Sequence, residues 1–130
     1  MARRLSAVLD ASALLSVLLG ERGEDIVVPV LRGSAMSAVN ISECCARAPE
    51  RGAAAAAVLK AIERFEIDVV PFDMTQAVRA AELREDARRL GISLGDRACL
   101  VVAEQRRVRL FTADERLSRV SIGIEILLIR

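Results

Sequence analysis

The chain has 130 residues, 53% hydrophobic and 28% charged, with a net charge of +1. These values describe one globular domain over residues 1–130, and so balanced a total excludes neither nucleic acid nor acidic partners. Histidine, tryptophan and tyrosine are absent, which excludes Ser-His-Asp chemistry and His-bearing zinc sites within the chain and leaves Phe65, Phe72 and Phe111 as a thin supply of stacking rings.

In chain order, Arg3-Arg4 before an apolar run imitates a signal peptide, but Asp10 interrupts that run. No window of about 18 uncharged apolar residues follows that could span a membrane. A cytoplasmic protein is expected. The run from Leu5 to Leu9 reads as a fully buried strand closed by Asp10, and residues 12–19 as a helix ending at Gly20. Residues 24–31 predict a second helix, short or bent because of Pro29, and residues 35–39 a strand of small residues. Asn40, with Glu43 three residues on, reads as the cap of a helix through Ala48 that Pro49 breaks.

Residues 51–65, with their alanine run, predict a helix, and residues 67–70 a brief strand stopped by Pro71. Residues 73–90 predict the longest helix, amphipathic and closed by Gly91. A loop over 92–95 leads to an apolar helix around 98–103. Residues 108–112 then read as a buried strand, 114–119 as a short helix and 125–129 as the last strand. Strands separated by helices, with no hairpin signal, predict an α/β fold: a three-layer α/β/α sandwich around a mostly parallel sheet of four to five strands. The opening strand is expected at its centre. The cysteines, at 44, 45 and 99, fit neither a zinc knuckle nor a disulfide framework and read as small buried groups in a reducing compartment.

Four acids stand at compatible places. Asp10 ends the first strand, Glu43 lies one turn into the helix after the second, Asp96 opens the apolar helix, and Asp114 follows the fourth strand. A parallel sheet delivers Asp10, Glu43 and Asp114 to one rim, where ligands of open α/β sheets bind, and Asp96 can approach from above. Taken singly, each acid reads as a helix cap or a partner of a helix dipole; the glycine before Asp96 reads as a tight turn. Together, two carboxylates about 5 Å apart repel by roughly 3 kcal/mol, so the cluster takes up protons or binds a cation. Oxygen-only ligands select a hard ion, Mg²⁺ or Mn²⁺, of the kind that serves phosphodiester cleavage. Ser12, Asn40 and Thr112 are candidates for orienting the carboxylates. Arg97 is a candidate phosphate contact, read equally well as an exposed helix arginine. The basic residues are almost all arginine, Lys60 being the only lysine, a bias that suits bidentate phosphate contacts and that codon usage explains as well.

Val8-Leu9-Asp10-Ala11-Ser12-Ala13-Leu14-Leu15, Ala38-Val39-Asn40-Ile41-Ser42-Glu43, Leu94-Gly95-Asp96-Arg97-Ala98-Cys99-Leu100 and Leu110-Phe111-Thr112-Ala113-Asp114, in that order, resemble a PIN domain, in particular the VapC-type toxins of bacterial toxin–antitoxin pairs. The likeness runs over essentially the whole chain. It implies an α/β/α sandwich and a metal-dependent endoribonuclease acting on RNA through a metal-activated water. In that scheme Asp10, Glu43, Asp96 and Asp114 form the acidic quartet, Ser12 and Thr112 support it, and a cognate antitoxin and a toxin homodimer are the partners. One departure is Asp114-Glu115-Arg116-Leu117, where many relatives carry an aromatic at the last position; it bears on local packing more than on the metal site.

Other readings fit less well. A haloacid-dehalogenase-type phosphatase needs a second Asp where Ser12 stands, and a receiver domain needs a late basic residue that Lys60 does not supply. The main alternative is a non-catalytic metal-dependent binding module. One form is an adhesion type with Asp-x-Ser-x-Ser, matched only in its first half by Asp10-Ala11-Ser12; the other is a catalytically silent PIN-like RNA binder.

Overall fold

The computed structural model describes residues 6–130; Arg3, Arg4 and Leu5 of the opening run lie outside the described residues. Five short strands, β1 (Ala7–Leu9), β2 (Ala35–Ser37), β3 (Asp68–Val70), β4 (Arg109–Thr112) and β5 (Ile126–Leu128), pair in the order β3-β2-β1-β4-β5, every pair parallel. β1 is the central strand, as its uniformly apolar sequence predicts: Ala7, Val8 and Leu9 are all buried, which requires helices on both faces.

Those helices are α1 (Ala11–Leu18), α2 (Glu24–Leu31), α3 (Ala38–Glu50), α4 (Ala55–Arg64), α5 (Met74–Glu82), α6 (Arg84–Leu90) and α7 (Leu94–Arg106). Strand side chains alternate between two cores. Ala7, Leu9, Met36 and Phe111 pack with α1 to α4, whereas Val8, Ala35 and Leu110 pack with Leu83 and the buried run Cys99 to Ala103 of α7. The result is the expected three-layer sandwich.

Three predicted elements differ. α3 begins at Ala38 with Ser37 as its cap, the Ser37 hydroxyl accepting from the Val39 amide at 3.1 Å, so Asn40 lies inside the helix. Pro49 is accommodated in the last turn of α3 rather than ending it earlier. The long helix over 73–90 is two, separated at Leu83, whose side chain is buried in the second core. Amphipathic spacing alone carries no sign of that break. The predicted helix over 114–119 is a single 3-10 turn, Leu117–Arg119, with Leu117 fully buried in the second core. Among the described residues no helix is long and apolar enough to cross a membrane.

Candidate active site

The β1–β4 register pairs Leu9 with Phe111, which sets Asp10 and Thr112 side by side at the carboxyl rim. Asp10 caps α1. Its Oδ1 accepts from the Ala13 amide at 2.9 Å and from the Ser12 hydroxyl at 2.6 Å, and its Oδ2 accepts from the Thr112 hydroxyl at 2.5 Å. Each hydroxyl is also an acceptor, Ser12 Oγ from the Ala113 amide at 2.9 Å and Thr112 Oγ1 from the Asp114 amide at 3.0 Å. The two hydroxyls therefore couple the orientation of Asp10 to the backbone that carries Asp114. Burial pushes the Asp10 carboxyl up from its ordinary value; these hydrogen bonds oppose the shift, and the charge on Asp96 adds only slightly to it.

Glu43 reaches the same place from α3. Asn40, one turn earlier and buried, donates from Nδ2 to Glu43 Oε1 and to the Gly95 carbonyl, both at 3.0 Å. That amide ties α3 to α7 and holds the Glu43 carboxylate over Gly95. A Cβ built at Gly95 would stand 2.6 Å from Glu43 Cδ, so a side chain here would displace the Glu43 carboxylate; the glycine answers to this close approach and not to a turn, since Gly95 lies within the first turn of α7. Next to it, Asp96 closes a capping box with Ser93; its Oδ2 accepts from the Ser93 amide at 2.8 Å while the Ser93 hydroxyl accepts from the Asp96 amide at 3.1 Å. Asp96 Oδ1 has no hydrogen-bond partner among the described residues.

Asp114 is held by Arg116. Its Oδ1 accepts from the Arg116 amide at 2.9 Å and Nε at 3.2 Å, and its Oδ2 from Nη2 at 2.9 Å. This guanidinium keeps the Asp114 carboxyl below the usual carboxylate range. A second arginine, Arg47, comes to 4.0 Å of Glu43 Oε2. Asp10, Ser12, Glu43, Arg47, Ser93, Asp96, Asp114 and Arg116 line one cavity of about 190 Å³. Arg97 does not line it; its guanidinium donates to the Ser93 and Ala80 carbonyls at 3.4 and 3.3 Å. Arg47 and Arg116 are the cavity residues that motif spacing misses, because each is distinguished only by the carboxylate it meets in the folded chain. The buried thiols of Cys44 and Cys99 lie under the acids, and burial pushes Cys44 up to about 12 and Cys99 well above its ordinary value. Both are inert at neutral pH.

Cap donors meet Asp10 and Asp96, and arginines face Glu43 and Asp114. Among the described residues no group of three or more acidic or thiol side chains is arranged to hold a metal ion as they stand. The donor set still suits a hard divalent ion in kind: all four acids lining the cavity offer oxygen, and Asp96 Oδ1 has no partner among the described residues. Ligation by three or more of these acids would require their side chains to draw closer together.

A parallel sheet covered on both faces, with acids gathered at the carboxyl ends of its central strands, defines a class of α/β domains that bind charged ligands at that rim. Within that class the chain belongs to the PIN domain family, whose profile matches residues 7–123. Among curated protein sequences none matches. Similar solved structures include a toxin–antitoxin complex from Klebsiella pneumoniae, 17% identical with a TM-score of 0.72 over 95% of this chain and 98% of that one. A DNA-bound VapBC from Salmonella typhimurium is 18% identical with a TM-score of 0.69, over 96% and 98% of the two chains. VapC20 of Mycobacterium tuberculosis, a toxin that cleaves the sarcin–ricin loop, is 15% identical with a TM-score of 0.71, over 92% and 98%.

Proposed function

We propose that the chain is a divalent-cation-dependent endoribonuclease, the toxin of a toxin–antitoxin pair, acting in the cytoplasm as a homodimer and restrained by a cognate antitoxin. The observation that carries the reading is the meeting of Asp10, Glu43, Asp96 and Asp114 in one cavity of a PIN-family chain. The toxin assignment draws support from the three similar structures named above, all toxin–antitoxin proteins.

In this reading Asp10 and Asp96 would hold the essential ion, Glu43 would complete or orient its shell, and Asp114 would serve a second ion or the water. Mg²⁺, or Mn²⁺ in its place, would supply a hydroxide nucleophile at neutral pH and positive charge for the phosphate. Ser12 and Thr112 keep the Asp10 carboxylate in one orientation, and Asn40 does the same for Glu43, so that little motion is left to freeze in the transition state. Arg47, at the cavity wall, takes the part of phosphate contact that Arg97, turned toward α5, does not fill.

Incubating the purified protein with total RNA, with Mg²⁺ or with chelator, tests this. Asp96→Asn should lower cleavage by more than about a hundredfold, since even the outer partners of metal ligands cost 10- to 100-fold, and its circular dichroism should match the wild type. Cleavage retained by Asp96→Asn would remove Asp96 from the mechanism. Wild-type protein that binds RNA but cleaves none with Mg²⁺ or Mn²⁺ would leave the non-catalytic binding module.

A further inference from the structure

Arg116 lines the acidic cavity yet has no part in the scheme above. The four acids are unequally engaged. Among the described residues, Asp10 is satisfied by uncharged donors, Asp96 keeps one oxygen without a partner, and Glu43 Oε2 meets Arg47 alone, at 4.0 Å. Asp114 alone has both oxygens taken by one guanidinium, in the two-pronged geometry that makes arginine–carboxylate pairs strong and directional. The third prong, Nη1, donates to the Gly91 carbonyl at 3.0 Å, which ties Arg116 to the turn between α6 and α7, two residues from Ser93 and five from Asp96. Asp114 Oδ1 faces two N–H groups and has its in-plane lone pairs occupied, while Oδ2 faces one and keeps a single open position beside the positive charge of the guanidinium.

Resting on the metal-dependent reading, we propose that Arg116 is an intramolecular counter-ion that competes with a divalent cation for Asp114, so that an ion gains the whole carboxylate only when the guanidinium releases it. Removing the competitor makes the ion bind more tightly. A residue that only stapled the two turns together would give the opposite sign, because its loss would loosen the site.

Calorimetric titration of the full chain with MnCl₂ at low ionic strength tests this on wild type, Arg116→Gln, Asp114→Asn and the double variant. Arg116→Gln should bind Mn²⁺ about threefold more tightly or better, the scale expected for a partly exposed ion pair, and the gain should vanish in the Asp114→Asn background. Arg116→Lys keeps the charge without the fork and should fall between wild type and Arg116→Gln; it carries the test should the glutamine variant fold poorly. Equal or weaker binding by a folded Arg116→Gln, or a gain that survives without Asp114, overturns the inference while leaving the metal reading intact. Absence of Mn²⁺ binding in wild type and Arg116→Gln alike overturns both.

Discussion

At the scale of single residues, Asp10 combines two roles that its sequence context presents as alternatives. It is a helix cap by its hydrogen bonds and a cavity-lining acid by its position. These roles have opposite consequences for stability. Burial holds its folded pKa above the unfolded value of 3.8, so its contribution to stability is full below pH 3.8 and is lost as pH rises through the folded pKa. Asp114, lowered by Arg116, runs the other way: its contribution is present above pH 3.8 and is lost as pH falls through the folded pKa. Asp10→Asn keeps an acceptor for the Ala13 amide and has no charge to desolvate. It should melt about 3 °C or more above wild type at pH 7, with the gap closing toward pH 4, and should not cleave RNA. Asp10→Ala strands the Ala13 amide and two hydroxyls, and should lose about 1 kcal/mol, or about 3–5 °C. Melting curves between pH 4 and 8 check both; an asparagine variant that melts below wild type at pH 7 would mean that the Thr112 hydrogen bond outweighs the burial cost.

At the scale of elements, the sequence is least legible where a tertiary contact decides a local choice. Asn40-x-x-Glu43 has the form of a capping box, but the true cap is Ser37. The two side chains sit one turn apart inside α3, where residues three apart face each other, and they meet directly. The break at Leu83 leaves no glycine or proline to announce it. Gly95 is the sharpest case: its neighbours suggest a turn, while its cause is the Glu43 carboxylate arriving from another helix. Gly95→Ala should therefore displace Glu43 more than it unfolds α7. The overpacking cost is about 1–3 kcal/mol, partly offset by the better helix propensity of alanine, whereas cleavage of RNA should fall by about tenfold or more. Comparing the melting temperature with the cleavage rate of this variant separates the effects; full activity would show that Glu43 moves without consequence.

At the scale of the whole molecule, the central place of β1 was readable because its three apolar residues leave no polar face for water, and the parallel sheet because helices separate the strands. The meeting of the acids followed from that topology. Their electrostatic state did not, since it depends on which donors reach each carboxylate. Mutual repulsion of roughly 3 kcal/mol per pair is the expectation from four acids at one rim, yet Asp114 is lowered and Asp96 is the smallest influence on Asp10. In the metal-free protein mutual repulsion is thus a minor cost beside the burial of Asp10, and screening has little to relieve. A bound divalent ion should instead stabilise through linkage, adding about 2.7 kcal/mol at a free concentration one hundred times its Kd, a rise in melting temperature on the order of 10 °C. Sodium chloride at matched ionic strength should not reproduce the rise, because it screens charges without entering the cavity. Asp96→Asn should abolish the Mg²⁺-dependent rise, since Asp96 carries the oxygen already free to bind. An equal rise with sodium chloride and with MgCl₂ would return the acids to simple mutual repulsion and remove the ion from the site.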